Sequence, residues 1–142
     1  MKAWIACCLI CLPLKNLRLN SSYGYRIHPV TGKYAFHAGV DFHAHADTVF
    51  AIMDGLISET GYYPDLGIHI KLNHGDLQFI YGHLSQVFVL PGDTVSSGKP
   101  IGITGATGRV TGEHLHLAIR DHCKYINPIK FLYETLIKNH HE

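Results

Sequence analysis

The sequence predicts a mainly β protein: an antiparallel barrel or sandwich with a short C-terminal helix. Two observations carry that class. Between residues 20 and 126 no helical stripe persists, and short apolar, β-rich runs recur every ~8–12 residues between turn residues. Glycine is abundant, 14 in 142 residues, as tight connections between short strands require. After residue 126 the period changes to that of a helix.

In order along the chain, the runs are 48–52, followed by Asp54-Gly55; 68–72, followed by Asn73-His74-Gly75-Asp76; and 77–81, followed by Gly82. Then come 87–90 before Pro91-Gly92-Asp93, and 101–103 before a long Gly/Thr loop. The run 115–120 closes the set. Residues 73–76, between two apolar strands, read as a hairpin turn. At the end, Asn127 is a good N-cap and Pro128 suits the first helical position, so a helix is expected over about 128–138. Ile129, Leu132, Tyr133 and Leu136 fall at i, i+3, i+4 and i+7, the face expected to meet the core.

A chain of 15.8 kDa fits one domain that can bury a core without staples. No repeat and no low-complexity linker divides it. Net charge is +1 and charged residues are 16%, against about 25% typically, which gives no footing for a nucleic-acid partner. Three of the four cysteines, Cys7, Cys8 and Cys11, lie near the start, leaving Cys123 alone, so a disulfide scaffold is excluded for the body. Cys123, just past the last strand, is expected to be a small core residue. No stretch reaches the ~18–20 apolar residues of a spanning helix.

Residues 1–16 are set apart as a hydrophobic leader or N-terminal anchor, and 17–142 as the folded domain. The opening MKAWIACCLICLPL has one Lys before an apolar run, like a short secretory leader, although no small-x-small cleavage site follows. The other reading is a hydrophobic segment that packs on the domain. If retained, 1–14 is long enough only to dip into a membrane surface.

Twelve histidines raise the weight of metal or proton-transfer chemistry. Three short patterns matter: His37-Ala38-Gly39-Val40-Asp41, Tyr81-Gly82-His83-Leu84 and His114-Leu115-His116. On a strand, residues two apart share a face, so His114 and His116 can look into one cleft. Two imidazoles, one carboxylate and an open position for water make a catalytic zinc set. Each pattern alone is weak, and His43-Ala44-His45 is a decoy of the same form.

The patterns in their order resemble the M23 (LytM/lysostaphin-type) zinc peptidases of bacterial cell walls, over about 22–128. Ser22-Tyr23-Gly24-Tyr25-Arg26-Ile27-His28-Pro29 looks like that family's entry segment, and 37–41 like its H-x-G-x-D. Residues 91–102 look like its turn segment. The loop Thr104-Gly105-Ala106-Thr107-Gly108-Arg109-Val110-Thr111-Gly112-Glu113 before His114-Leu115-His116 is the most specific match. The resemblance implies a LytM/lysostaphin-type fold with one Zn²⁺ per chain on His37, Asp41 and His116. It implies His83 and His114 as catalytic residues that do not bind the metal. No such position is missing, unlike in the family's degenerate members. It further implies an exported, signal-bearing enzyme of the cell envelope that cleaves Gly- or D-Ala-containing bonds in peptidoglycan peptides. A monomer is expected.

In that chemistry a base takes the proton of the metal's water and a donor stabilises the oxyanion. His114 is preferred as base and His83 as oxyanion and leaving-group partner, with the reverse assignment open. His43 and His45 read as loop or rim residues, and His69 and His74 as makers of structural hydrogen bonds at strand ends. Arg26 reads equally as a substrate contact or a buried hydrogen-bonding group. Among other readings, a non-enzymatic envelope protein of the same fold sits poorly with an intact ligand set. A non-haem iron oxygenase also uses two His and a carboxylate, but the His37–Asp41 spacing and the Gly/Thr loop do not suit it. A lipoyl-type carrier would not need the histidines, and Lys99 is not at a hairpin tip.

Overall fold

A computed structural model describes residues 10–140. Twelve strands and one helix follow one another: β1 (Leu19–Ser21), β2 (Gly24–Ile27), β3 (Tyr34–His37), β4 (Val40–His43), β5 (Thr48–Phe50), β6 (Gly55–Tyr63), β7 (Gly67–His74), β8 (Leu77–Val87), β9 (Thr94–Val95), β10 (Pro100–Thr104), β11 (His114–Asp121), β12 (Lys124–Ile126) and α1 (Pro128–His140). The main sheet runs β1-β4-β11-β8-β7-β6-β9, with β10 between β5 and β8 and β12 beside β11. All its pairs are antiparallel. The path does not close on itself. Of the two architectures the sequence allows, the chain adopts the open, sandwich-like one. β2 and β3 form a separate two-stranded ribbon.

The core lies where strand alternation turns Val40, Phe42, Ile57, Ile70, Leu72, Phe79, Tyr81, Leu115, Leu117 and Ile119 inward. Tyr81 is wholly buried, and its hydroxyl accepts the Ile52 amide at 3.1 Å, which ties β8 to the segment after β5. Burial pushes its phenol pKa up. β7 and β8 meet through Gly75-Asp76, with Gly75 at φ 57°, as the sequence predicts for this hairpin.

β8 does not stop at Gly82, where the sequence reads a turn. It runs on to Val87 and changes partner, from β11 along its first half to β10 along its second. The change falls at a bulge: Ile70 pairs with Tyr81 and Ile68 with Leu84, so Gly82 and His83 together face His69. Conversely, the apolar run 88–90 lies outside any strand.

The helix begins as predicted. Asn127 Oδ1 accepts the amides of Ile129 at 3.0 Å and Lys130 at 3.4 Å, and Pro128 opens the first turn. Its buried face is rotated from the expected one. Leu132 is buried, and Phe131 and Leu136 pack against the core, while Ile129 and Tyr133 are exposed. Phe131 sets the rotation by meeting Phe79 edge-on at 5.9 Å. Cys123 is a second correction. It is exposed, at the second position of the two-residue turn joining β11 to β12, where His122 and Cys123 have φ of 50° and 66°.

Residues 1–9 of the expected leader lie outside the described residues. Within the rest of it, Ile10 and Leu14 belong to the core. The Cys11 amide donates to Ile52 O and the Phe50 amide to Pro13 O, each at 2.9 Å. Burying a leucine as fully as Leu14 contributes ~1.5–3 kcal/mol. No helix among the described residues is long and apolar enough to cross a membrane.

Candidate active site

Register brings the first three residues together. In the β4–β11 pair, Asp41 stands directly opposite His116, at a position where side chains are close neighbours. His37 ends β3 and reaches the same point through a tight connection that needs Gly39. A Cβ on Gly39 would lie 2.4 Å from Leu117 O and 2.8 Å from the His116 ring. His37 Nε2 lies 3.3 Å from His116 Nδ1 and 3.4 Å from Asp41 Oδ1, and His116 Nδ1 lies 3.0 Å from Asp41 Oδ1.

Among the described residues, these three form the one group whose donor atoms converge as a metal requires, all within 4.8 Å of one another. Two imidazole nitrogens and a carboxylate oxygen fit a borderline-soft dication such as zinc with an open fourth position. Burial raises the Asp41 pKa, but hydrogen bonds and charge from His116 and His37 outweigh it and hold the carboxyl far below the usual range. His37 Nδ1 donates to Ser22 O at 3.0 Å, which leaves Nε2 bare toward the group.

His114 shares with His116 the face of β11 opposite core residues Leu115 and Leu117, as the two-residue period predicts, and its Nε2 is 3.6 Å from Asp41 Oδ1. His83 arrives from the opposite side, on the bulge of β8, in a left-handed backbone conformation with φ 59°. Its ring lies edge-on to His114 at 4.8 Å and 5.9 Å from that of His116.

Both rings are oriented by carbonyls. His83 Nδ1 donates to Thr107 O at 2.7 Å and His114 Nδ1 to Gly112 O at 3.0 Å. In the neutral state each therefore presents a bare Nε2. Burial lowers both pKa values, that of His83 to about 4, so both are neutral at pH 7. All five predicted residues border one cleft of about 450 Å³, together with Arg26, His28, Asp65, Leu66 and Arg109.

The carbonyls that hold the rings were not legible as functional groups. Thr107 sits inside the Gly/Thr loop, but only the fold shows that its oxygen faces His83. Gly67, at φ 66°, makes room for it: a Cβ there would lie 2.3 Å from Thr107 O. The decoy is resolved in the same way. His43 and His45 are exposed and line a different hollow, beside Leu14, Lys15 and Arg18. His69 Nε2 bonds Glu59 at 2.6 Å and His74 Nδ1 bonds Asp54 O at 2.6 Å, both away from the cleft.

Residues 35–128 match the model of peptidase family M23. The chain is 35% identical over 125 residues to the DD-carboxypeptidase/endopeptidase Mpg of Neisseria meningitidis, covering 87% of this chain and 29% of the relative. It is 38% identical over 116 residues to the peptidoglycan DD-endopeptidase ShyA of Vibrio cholerae, covering 80% and 27%. The chain thus spans less than a third of the length of these relatives.

Among solved structures, a zinc-containing peptidase from Vibrio cholerae superposes with a TM-score of 0.77 at 30% identity, over 84% of this chain and 39% of that one. The catalytic domain of lysostaphin from Staphylococcus simulans superposes with a TM-score of 0.74 at 32% identity, over 82% and 92%. With its fold, its cleft and this likeness all in agreement, the chain belongs to peptidase family M23.

Proposed function

We propose that the chain is a zinc-dependent endopeptidase that hydrolyses peptide bonds in bacterial peptidoglycan, and so acts in the cell envelope. One observation carries this reading. A His/Asp/His donor set and two further histidines with bare Nε2 atoms border the same cleft. The relatives named for peptidoglycan bond cleavage, and a zinc-containing structural neighbour, support the substrate and the metal.

His37, Asp41 and His116 would hold one Zn²⁺. When bound, it supplies an acidified water near neutral pH and polarises the scissile carbonyl. His114 Nε2 takes the proton of the attacking water. It is the better placed of the two rings, being 3.6 Å from Asp41, the carboxylate that would hold the metal. The fixed Nδ1–H bond to Gly112 O keeps that nitrogen unprotonated until it acts. His83, neutral at rest, donates from Nε2 only after taking that proton on from His114, whose ring lies edge-on at 4.8 Å, and as a cation it stabilises the negative charge growing on the carbonyl oxygen. As the C–N bond breaks, His83 gives that same proton to the leaving nitrogen, which departs as an amine, while the carbonyl carbon keeps the water's oxygen and His83 returns to its neutral state.

The test is the purified chain incubated with peptidoglycan fragments, with and without chelator, and the products read by mass spectrometry. Chelator-sensitive gain of one water and one new amine per cut is the expected result. Intact fragments with zinc bound would contradict the reading.

A further inference from the structure

Resting on that reading, we propose that Arg26 forms a carboxylate subsite beside the scissile bond, so that the residue on the leaving side must carry a free carboxyl group. The ribbon geometry comes first. Tyr25 pairs with Phe36 and Ile27 with Tyr34, and these four side chains are exposed on one face. Alternation turns Arg26 and His37 to the other face, which borders the cleft.

The state of Arg26 comes second. Its side chain is only 19% exposed, and its Nε is buried with no hydrogen-bond partner. Its Nη1 donates to Ile27 O at 3.3 Å. Its nearest carboxylate is Asp41, at 4.0 Å from Nη2, too long for a hydrogen bond. The Asp41 carboxylate is already engaged by His37 and His116. Arg26 is therefore a half-sequestered cation whose guanidinium has donors to spare, an expensive arrangement unless an anion joins it.

Distance names the anion. Nη2 stands 4.0 Å from an oxygen of the metal-facing carboxylate, and one residue advances a peptide by at most ~3.6 Å. An anion on Arg26 thus lies about one residue from the bond that is cut. On the leaving side of a peptide, the backbone group within that reach that can carry a negative charge is the leaving residue's own carboxyl. His28 lines the same wall, and its Nδ1 accepts the amides of Val30 and Thr31, so its neutral ring carries a second donor at Nε2. Arg109 also borders the cleft, as does Asp65, a charge of opposite sign. Two peptidoglycan sources offer this chemistry: a terminal D-alanine, and a cross-link whose acceptor amine sits on a carbon that bears a free carboxyl.

Four substrates separate them, tested on the zinc-loaded chain: a stem-type peptide ending in D-Ala-D-Ala, its C-terminal amide, a dimer cross-linked through such a carboxyl-bearing carbon, and that dimer with the carboxyl amidated. The expected result is a kcat/KM preference for the free carboxyl of about 10–100-fold in at least one pair, and that pair identifies the source. Arg26→Gln should collapse the preference toward 1 while keeping one equivalent of zinc, and Arg26→Lys should retain part of it. Equal rates on free and amidated forms, or an equal loss on both in Arg26→Gln, would overturn the subsite and leave the peptidase standing. No cleavage of any substrate by the zinc-loaded wild-type chain would overturn the peptidase reading, and the subsite with it.

Discussion

The two walls of the cleft are built by different means. On one wall His37, Asp41 and His116 are placed by strand register, with Asp41 and His116 directly paired across β4 and β11. On the other, His83 is aimed by a bulge with positive φ and held by a carbonyl from the loop before β11. Ladder hydrogen bonds on both sides of β11 fix the first wall. The second depends on a few close backbone approaches, chiefly that of Gly67 to Thr107. His114 belongs to both: its strand is part of the ladder, and its ring is fixed by Gly112 O. On the roles proposed above, the groups that would share a metal are set by register, and His83, which would hand on a proton, is set by a loop.

The largest effect should come from the register wall. Asp41→Ala, His37→Ala or His116→Ala should take peptide release to the no-enzyme rate in a chromatographic cleavage assay. On the loop wall, His83→Ala should lower kcat by about 10²–10⁴-fold, the usual range for a group that moves a proton. A loss below tenfold would remove His83 from the chemistry. Gly67→Ala tests the loop wall without touching a ring. Its Cβ would meet Thr107 O at 2.3 Å and force a left-handed residue to carry a side chain. Displacing His83 in this way should lower kcat by about 10²-fold. The same substitution at Gly75, also at positive φ (57°) but with nothing within 4 Å, should leave kcat alone and cost only a little stability.

The smallest effect is on pH. Both ring pKa values lie below 6.5 because burial disfavours the charged form, and a bound dication would push them the same way. A base is active when unprotonated, so the acid limb of kcat/KM should fall below pH 6.5. A limb above 7 would show that another group titrates.

What the sequence made legible follows the same division. The register wall could be read because alternation puts His114 and His116 on one face and H-x-G-x-D is a local pattern. The hairpin at Gly75 and the cap at Asn127 were legible for the same local reason. The bulge at His83 was not, because Gly82 reads as a turn, and only pairing with two different strands shows that β8 continues. The helix face was misjudged because four apolar positions fit a stripe. Phe131, off that stripe, had the better partner in Phe79. Ile10 and Leu14 share the composition of a leader, and their place in the core rests on contacts far along the chain, at Phe50 and Ile52.

The most direct test of the two-wall account is zinc content by elemental mass spectrometry, measured on the same samples of wild type, Asp41→Ala and His83→Ala that are assayed for cleavage. The account predicts one equivalent, close to none, and one equivalent, with turnover in the wild type alone. Full zinc in Asp41→Ala, or zinc lost from His83→Ala, would contradict the division of labour between the two walls.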